Sequence, residues 1–242
     1  DELAATGTNF TSAYVAHPFC GPSRASLLAG RYPHKMGVPY NLPDVHKGIE
    51  KWNVLGVPVG EKLISTVLRD AGYFTGAVGK WHLGAVSPEY HPNARGFDDY
   101  YGFLGGGHKY YPRQFAGSKK NGSVWRNEYV WPLEHNGEDV QVTEYLTDDL
   151  SNNAARFIKE ASALDKPFFL FLSYNAPHSP IDPKTEDYDL HSHITNEQRR
   201  KYAAMVHSID RGVGQVVDTL KAVGQYENTL IVFLSDNGGV PT

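Results

Sequence analysis

EKLISTVLRDAGYFTGAVGKWH, Glu61 to His82, carries the pattern that decides the fold. Leu63, Ile64, Val67, Leu68 and Ala71 fall on one stripe of a helix, Gly72 stops it, and Tyr73 to Val78 follow at once as an apolar strand. Gly79, Lys80, Trp81 and His82 then leave the carboxyl end of that strand. The same step occurs twice more downstream. Thr143 to Leu164 reads as a long amphipathic helix feeding the strand Phe168 to Ser173, and Asn196 to Val223 as a helix feeding the strand Thr229 to Leu234. Helices alternating with continuously apolar strands predict an α/β class, with a mostly parallel central sheet and helices on both faces.

The rest of the chain is less regular. DELAATG reads as a helix tail stopping at Gly7, Phe10 to Val15 as a strand, and Ser23 to Leu28 as a short helix with Pro22 in its first turn and Gly30 closing it. Arg31 to Pro58, rich in Pro, Gly, Tyr and His, reads as a long covering loop. Pro88 to Asn136 reads as a loop-dominated aromatic insertion, with Val124 to Trp131 as a hairpin arm. Both ends read as mid-domain, so residues 1 to 242 are expected to be one partial domain, lacking its first strand and its C-terminal part.

Composition removes several classes of partner. The 242 residues are 40% hydrophobic and 21% charged, unlike disordered or collagen-like chains. Lys plus Arg is 23 against 27 Asp plus Glu, so 23 − 27 = −4, and no basic run tracks a phosphate backbone. No nucleic-acid partner is expected. No apolar stretch approaches the ~20 residues of a bilayer span. The single cysteine, Cys20, cannot form an internal disulfide and gives no compartment signal.

In open α/β sheets the ligand site lies beyond the carboxyl ends of the strands. There the chain places Lys80 and His82, then Asn175 and His178, then Ser235, Asp236 and Asn237. A cation, imidazoles and a carboxylate are thus expected at one edge of the sheet. CGPSRASLLAGR, Cys20 to Arg31, sets a cysteine at the mouth of a helix whose amides and Arg24 favour an anion. From the residues alone, an activated thiol and a buried structural cysteine stand as equal readings.

CGPSR followed by ASLLAGR resembles the first signature of the type I sulfatases, in the alkaline phosphatase superfamily, and GYFTGAVGKWH, Gly72 to His82, resembles the second. The likeness runs from the opening helix through SDNGG at Ser235 to Gly239. Phe19 departs from it, since small or aliphatic residues are more usual before the cysteine. The resemblance implies an alkaline-phosphatase-like fold, with residues 1 to 242 forming part of the N-terminal catalytic domain. The implied activity is hydrolysis of sulfate esters, with a carbohydrate as the favoured substrate. It also implies that Cys20 is oxidised to formylglycine, whose hydrate carries two hydroxyls on one carbon. One attacks sulfur as the alcohol departs, and the other lets the carbonyl reform and expel sulfate, an exit a serine ester lacks. Arg24 then matches the residue orienting the formylglycine, His82 the one contacting it, and Lys80 and His178 those holding sulfate and the leaving oxygen. Asp236 and Asn237, with residue 20, match ligands of Ca²⁺, which prefers such hard oxygens.

By the same resemblance the other metal carboxylates lie upstream of residue 1 and a further lysine beyond residue 242, so residues 1 to 242 alone are expected to have little activity. Implied partners are a sulfated small molecule or glycan and a formylglycine-generating or anaerobic maturation enzyme; implied locations are periplasmic, secreted or lysosomal. A phosphomonoester or phosphonate hydrolase of the same superfamily and a non-catalytic sulfated-glycan binder are the alternatives.

Other features read as ordinary. His191 and His193 fit a solvated loop without a third ligand, and His17, His34 and His108 fit surface packing. RGFDDYYGFLGG, Arg95 to Gly106, fits a loop over the site with its aromatics in the core. Asp210 and Arg211 fit a solvated helical pair. Asn9 and Asn121 begin weak glycosylation triplets.

Overall fold

Phe74–Lys80 (β1) is an inner strand of a five-stranded sheet and runs parallel to a neighbour on each side. In the computed structural model, which describes residues 2–43, 54–115 and 132–239, the helices before it are Glu2–Thr6 (α1), Cys20–Ala29 (α2) and Ile64–Asp70 (α3). After it come Asp99–Phe103 (β2), Glu134–His135 (β3), Glu138–Asp139 (β4), Leu146–Ser162 (α4), Phe168–Ser173 (β5), Thr185–Leu190 (α5) and Glu197–Ala222 (α6). The strand order is β4-β3-β2-β1-β5. β1 pairs Gly76 with Asp99 of β2 and Phe74 with Phe168 of β5, while β3 and β4 add an antiparallel ribbon at the far edge.

The connection from β2 to β5 carries α4, which covers the parallel centre of the sheet. α4 lies across β1, β2 and β5, and α6 packs on α4. Gly76 sets that distance. A Cβ there would come within 2.3 Å of the Phe157 ring, so only a glycine lets the helix close down. Phe157 is fully buried and stacks on Phe74 with ring centroids 5.2 Å apart. Trp81, Phe97, Tyr100, Phe103, Leu146 and Leu150 complete this core.

Three expectations need correction. Phe10 to Val15 and Thr229 to Leu234 are not strands; Tyr14 is 91% and Leu230 90% exposed. An apolar segment becomes a strand only when another backbone takes its N–H and C=O groups, and among the described residues none pairs with either. The aromatic insertion, conversely, contributes β2, an inner strand. Its polar Asp99 is tolerated because Arg156 (Nη2 to Oδ2, 2.8 Å) and His135 (Nε2 to Oδ1, 2.6 Å) meet both carboxylate oxygens. Tyr100, Tyr101 and Phe103 are buried, as core packing requires. The supposed hairpin arm at 124–131 lies outside the described residues. Asp210 and Arg211 are exposed on α6, where Arg211 also bridges Asp187 of α5 and Asp148 of α4.

Elsewhere the expected elements appear with ends moved by a few residues, and the short helix starts earlier, at Cys20. In the loop beginning at Arg31, Val38, Leu42 and Val57 are buried.

Asp149 of α4 is 7% exposed, and Tyr101 Oη donates to its Oδ2 at 2.8 Å. Burial pushes this carboxyl up to about 6, against the bond from Tyr101. A carboxyl raised above its unfolded value stabilises the fold when protonated, and that contribution fades as pH rises through 6. Asp149→Asn keeps an acceptor for Tyr101 without the charge. It is expected to raise Tm by roughly a few degrees at pH 7.5, with the gain vanishing near the unfolded carboxyl value of about 4. Thermal melts at both pH values check this.

Candidate active site

The site forms where β1 and β5 end and α2 begins. α2 starts at Cys20, and its N-cap residue Phe19 offers no side-chain cap. Asn41 supplies one from the covering loop, its Oδ1 accepting from Gly21 N–H at 2.9 Å. One turn along, Arg24 enters the core, 3% exposed. Its Nε donates to Trp81 O at 2.9 Å, Nη2 donates to Lys80 O, and Nη1 lies 3.5 Å from Asp236 Oδ2. Ser23 Oγ donates to Asp236 O. α2, the end of β1 and the Asp236 turn are therefore tied together.

Around this anchor the chain gathers the residues expected from its sequence. The Cys20 side chain lies within electrostatic reach of His178 and Lys80. Lys80 and His82 are 4% and 6% exposed. Burial pushes the Lys80 ammonium down, the nearby Arg24 pushes it further, and Cys20 and Asp236 oppose the shift. Burial, then Lys80, Arg24 and His178, hold His82 well below the ordinary imidazole range, so it is neutral at pH 7. Burial raises the Cys20 thiol, but His178 and the charge of Lys80 outweigh it, leaving the thiol below its ordinary value. Asn237 follows Asp236, its Nδ2 donating to Gly238 O at 3.1 Å.

Cys20, Arg24, Lys80, His82, His178 and Asp236 thus form one constellation. Two buried cations and a neutral imidazole surround a half-buried sulfur, an arrangement that attracts an anion and can exchange a proton with it. Two contributors had no sequence signal. Asn41 caps from a loop without periodicity, and Tyr110, whose Oη donates to His178 O at 2.7 Å, looks like any core aromatic.

The remaining histidines fall elsewhere. His108 is buried between Phe103 and Phe115. His17 accepts from Phe19 N–H at 3.2 Å and lies near His34. His207 of α6 packs on His191, which also meets His193. Among the described residues, no group of three or more His, Cys, Asp or Glu side chains is arranged to hold a metal.

The family model described as Sulfatase matches residues 1–241. The chain belongs to the sulfatase family. The uncharacterized sulfatase YdeN of Escherichia coli (strain K12) is 35% identical over 97% of this chain and 41% of its own length. N-acetylgalactosamine-6-sulfatase of Mus musculus is 32% identical over 98% of this chain and 45% of its own. The crystal structure of Ps i-CgsB in complex with k-i-k-neocarrahexaose superposes with a TM-score of 0.90 and 53% identity, covering 98% of this chain and 52% of that one. This sulfatase chain therefore spans less than half the length of those curated relatives and about half of that solved chain.

The electrostatics predict how the thiol behaves where residue 20 remains cysteine. Replacing Lys80 with Met removes a charge that lowers the thiol pKa. Iodoacetamide alkylation of Cys20 at pH 7 is then expected to slow roughly several-fold, with the midpoint of the rate–pH profile moved upward. Alkylation rates of full-length protein from a host that does not mature sulfatases check this.

Proposed function

We propose that this chain is part of the catalytic domain of a carbohydrate sulfatase, with residue 20 as the nucleophile after conversion of Cys20 to formylglycine. The observation that carries the reading is the convergence of His178, Lys80 and buried Arg24 on residue 20, at the head of a helix that Arg24 ties to the end of β1. Hydrated formylglycine supplies two hydroxyls on one carbon, one to attack sulfur and one to release sulfate as the carbonyl reforms. The surroundings fit it, since a hydroxyl in place of the sulfur lies among the same cations and beside His178.

The chain's own residues do the rest. Lys80 and Arg24 offset the charge of the sulfate group in a buried setting where such charges act strongly. His178 and Lys80, both beside residue 20, are the candidates to pass a proton to the departing alcohol oxygen. Neutral His82 can take a proton from a hydroxyl at residue 20.

The donor chemistry at Asp236 and Asn237 suits Ca²⁺, which takes about six to eight oxygens. These two residues and residue 20 would supply part of that shell, and the ion would add Lewis acidity. For the substrate, the similarity to a structure containing k-i-k-neocarrahexaose favours a sulfated oligosaccharide over a small aryl sulfate. A maturation enzyme and a location outside the cytosol belong to the same reading.

The test uses full-length enzyme from a sulfatase-maturing host, with a peptide mass spectrum across residue 20 and free sulfate measured by ion chromatography on k-i-k-neocarrahexaose and other sulfated oligosaccharides. The expected outcome is an aldehyde at residue 20 and sulfate release that Cys20→Ala abolishes. His178→Ala is expected to lower kcat by about 10²–10⁴-fold. Modified enzyme that only binds these glycans, or that prefers matched phosphate esters, would overturn the proposal.

A further inference from the structure

The segment leaving β2 packs on the His82 ring and hydrogen-bonds the backbone of His178. Trp81 N–H and His82 N–H donate to Phe103 O and Leu104 O, both at 3.1 Å, so β1–β2 pairing continues past the strand ends and delivers the segment beside His82. A Cβ on Gly106 would lie 2.8 Å from His82 Nε2 and 2.9 Å from Cε1. Bare backbone alone fits against the edge of that ring. His82 itself has φ 61, which aims its side chain from a conformation few L residues adopt. Its buried Nδ1 has no hydrogen-bond partner among the described residues. With Nδ1 unanchored, packing against Gly106 fixes the ring's orientation.

Four residues on, the same segment reaches His178. Tyr110 is fully buried and donates from Oη to His178 O at 2.7 Å. Its ring stacks on Tyr145 at 5.6 Å, and its carbonyl accepts from Leu146 N–H at 2.9 Å, pinning it to the start of α4. Asn175 closes the frame. Its Nδ2 donates to His108 O at 2.9 Å while its own carbonyl accepts from His178 N–H at 2.9 Å. The His178 backbone is thus held at its N–H through Asn175 and at its C=O by Tyr110. Between these points the His108 ring is wedged against Phe103 and Phe115, centroids 5.0 and 4.6 Å away.

We propose that residues 106–110 form a positioning strut that fixes His82 and His178 relative to residue 20, with Gly106 and Tyr110 as its positioning residues. The proposal rests on the sulfatase reading of the site. Each acts through a histidine, Gly106 against the His82 ring and Tyr110 on the His178 carbonyl.

Tyr110→Phe removes only the hydroxyl and keeps the ring stacked, so fold and substrate contacts should survive. In full-length enzyme assayed for sulfate release from k-i-k-neocarrahexaose, it is expected to lower kcat about 10-fold with KM nearly unchanged, and to shift the kcat–pH profile. Gly106→Ala is expected to cost roughly 10²-fold in kcat, the scale on which an ångström of misplacement acts. Melting temperature and the mass of the residue-20 peptide are measured alongside, which separates positioning from misfolding or lost maturation. If Gly106→Ala does not fold, Tyr110→Phe decides. Folded, modified variants with wild-type kcat and pH profile, or with losses confined to KM, would overturn the strut. Wild-type enzyme that is modified yet releases no sulfate from any sulfated oligosaccharide would instead overturn the sulfatase reading.

Discussion

Burying the Arg24 guanidinium obliges the chain to surround it with oxygen. A charge taken out of water costs several kcal/mol unless its donors are met, and here the acceptors come from segments far apart in sequence: the carbonyls of Lys80 and Trp81 and the carboxylate of Asp236. Those three obligations place α2 against the end of β1 and draw in the turn after α6. Without Arg24, Cys20 would still head a helix, but that helix would lose its side-chain bonds to the end of β1. Removing the side chain leaves oxygens buried without donors, so the anchor cannot be traded for an apolar residue alone.

The same economy of space explains the charge state of the site. Burial and then the charge of Arg24 lower the proton affinity of Lys80, and the residue-20 side chain and Asp236 only partly compensate. Such a pocket is poised for an anionic guest that relieves the repulsion. His82 answers the same field by staying neutral, which preserves a basic nitrogen among cations. Fold and electrostatics are therefore one construction: the contacts that seat α2 also bring the two cations together.

How much of this was legible depended on whether a feature was local. The helix-to-strand step at Glu61 to His82 and the apolar run Phe168 to Ser173 announce themselves by periodicity, and both elements are present. Lys80, His82 and His178 could be placed at one edge because strand ends in such sheets share an edge. β2 was missed because DDYYGF carries its polarity on Asp99, neutralised by His135 and Arg156 from elsewhere in the chain. Phe10 to Val15 and Thr229 to Leu234 erred the other way, since apolarity says that a segment seeks burial but not which backbone completes it. Asn41, Gly106 and Tyr110 act through single contacts across the fold, which no one-dimensional pattern encodes.

The seating of α2 also imposes an order in time. Gly21 through Ser26 are buried in the finished structure, and Gly21 N–H is already engaged by Asn41. An enzyme that must grip this stretch as an extended peptide finds it accessible only before the helix docks. Docking in turn waits on β1, whose partner β5 is synthesised far downstream, and contacts so distant along the chain form slowly. If residue 20 is converted as proposed, late closure of the sheet would act as a clock, keeping a window open in which that chemistry competes with folding.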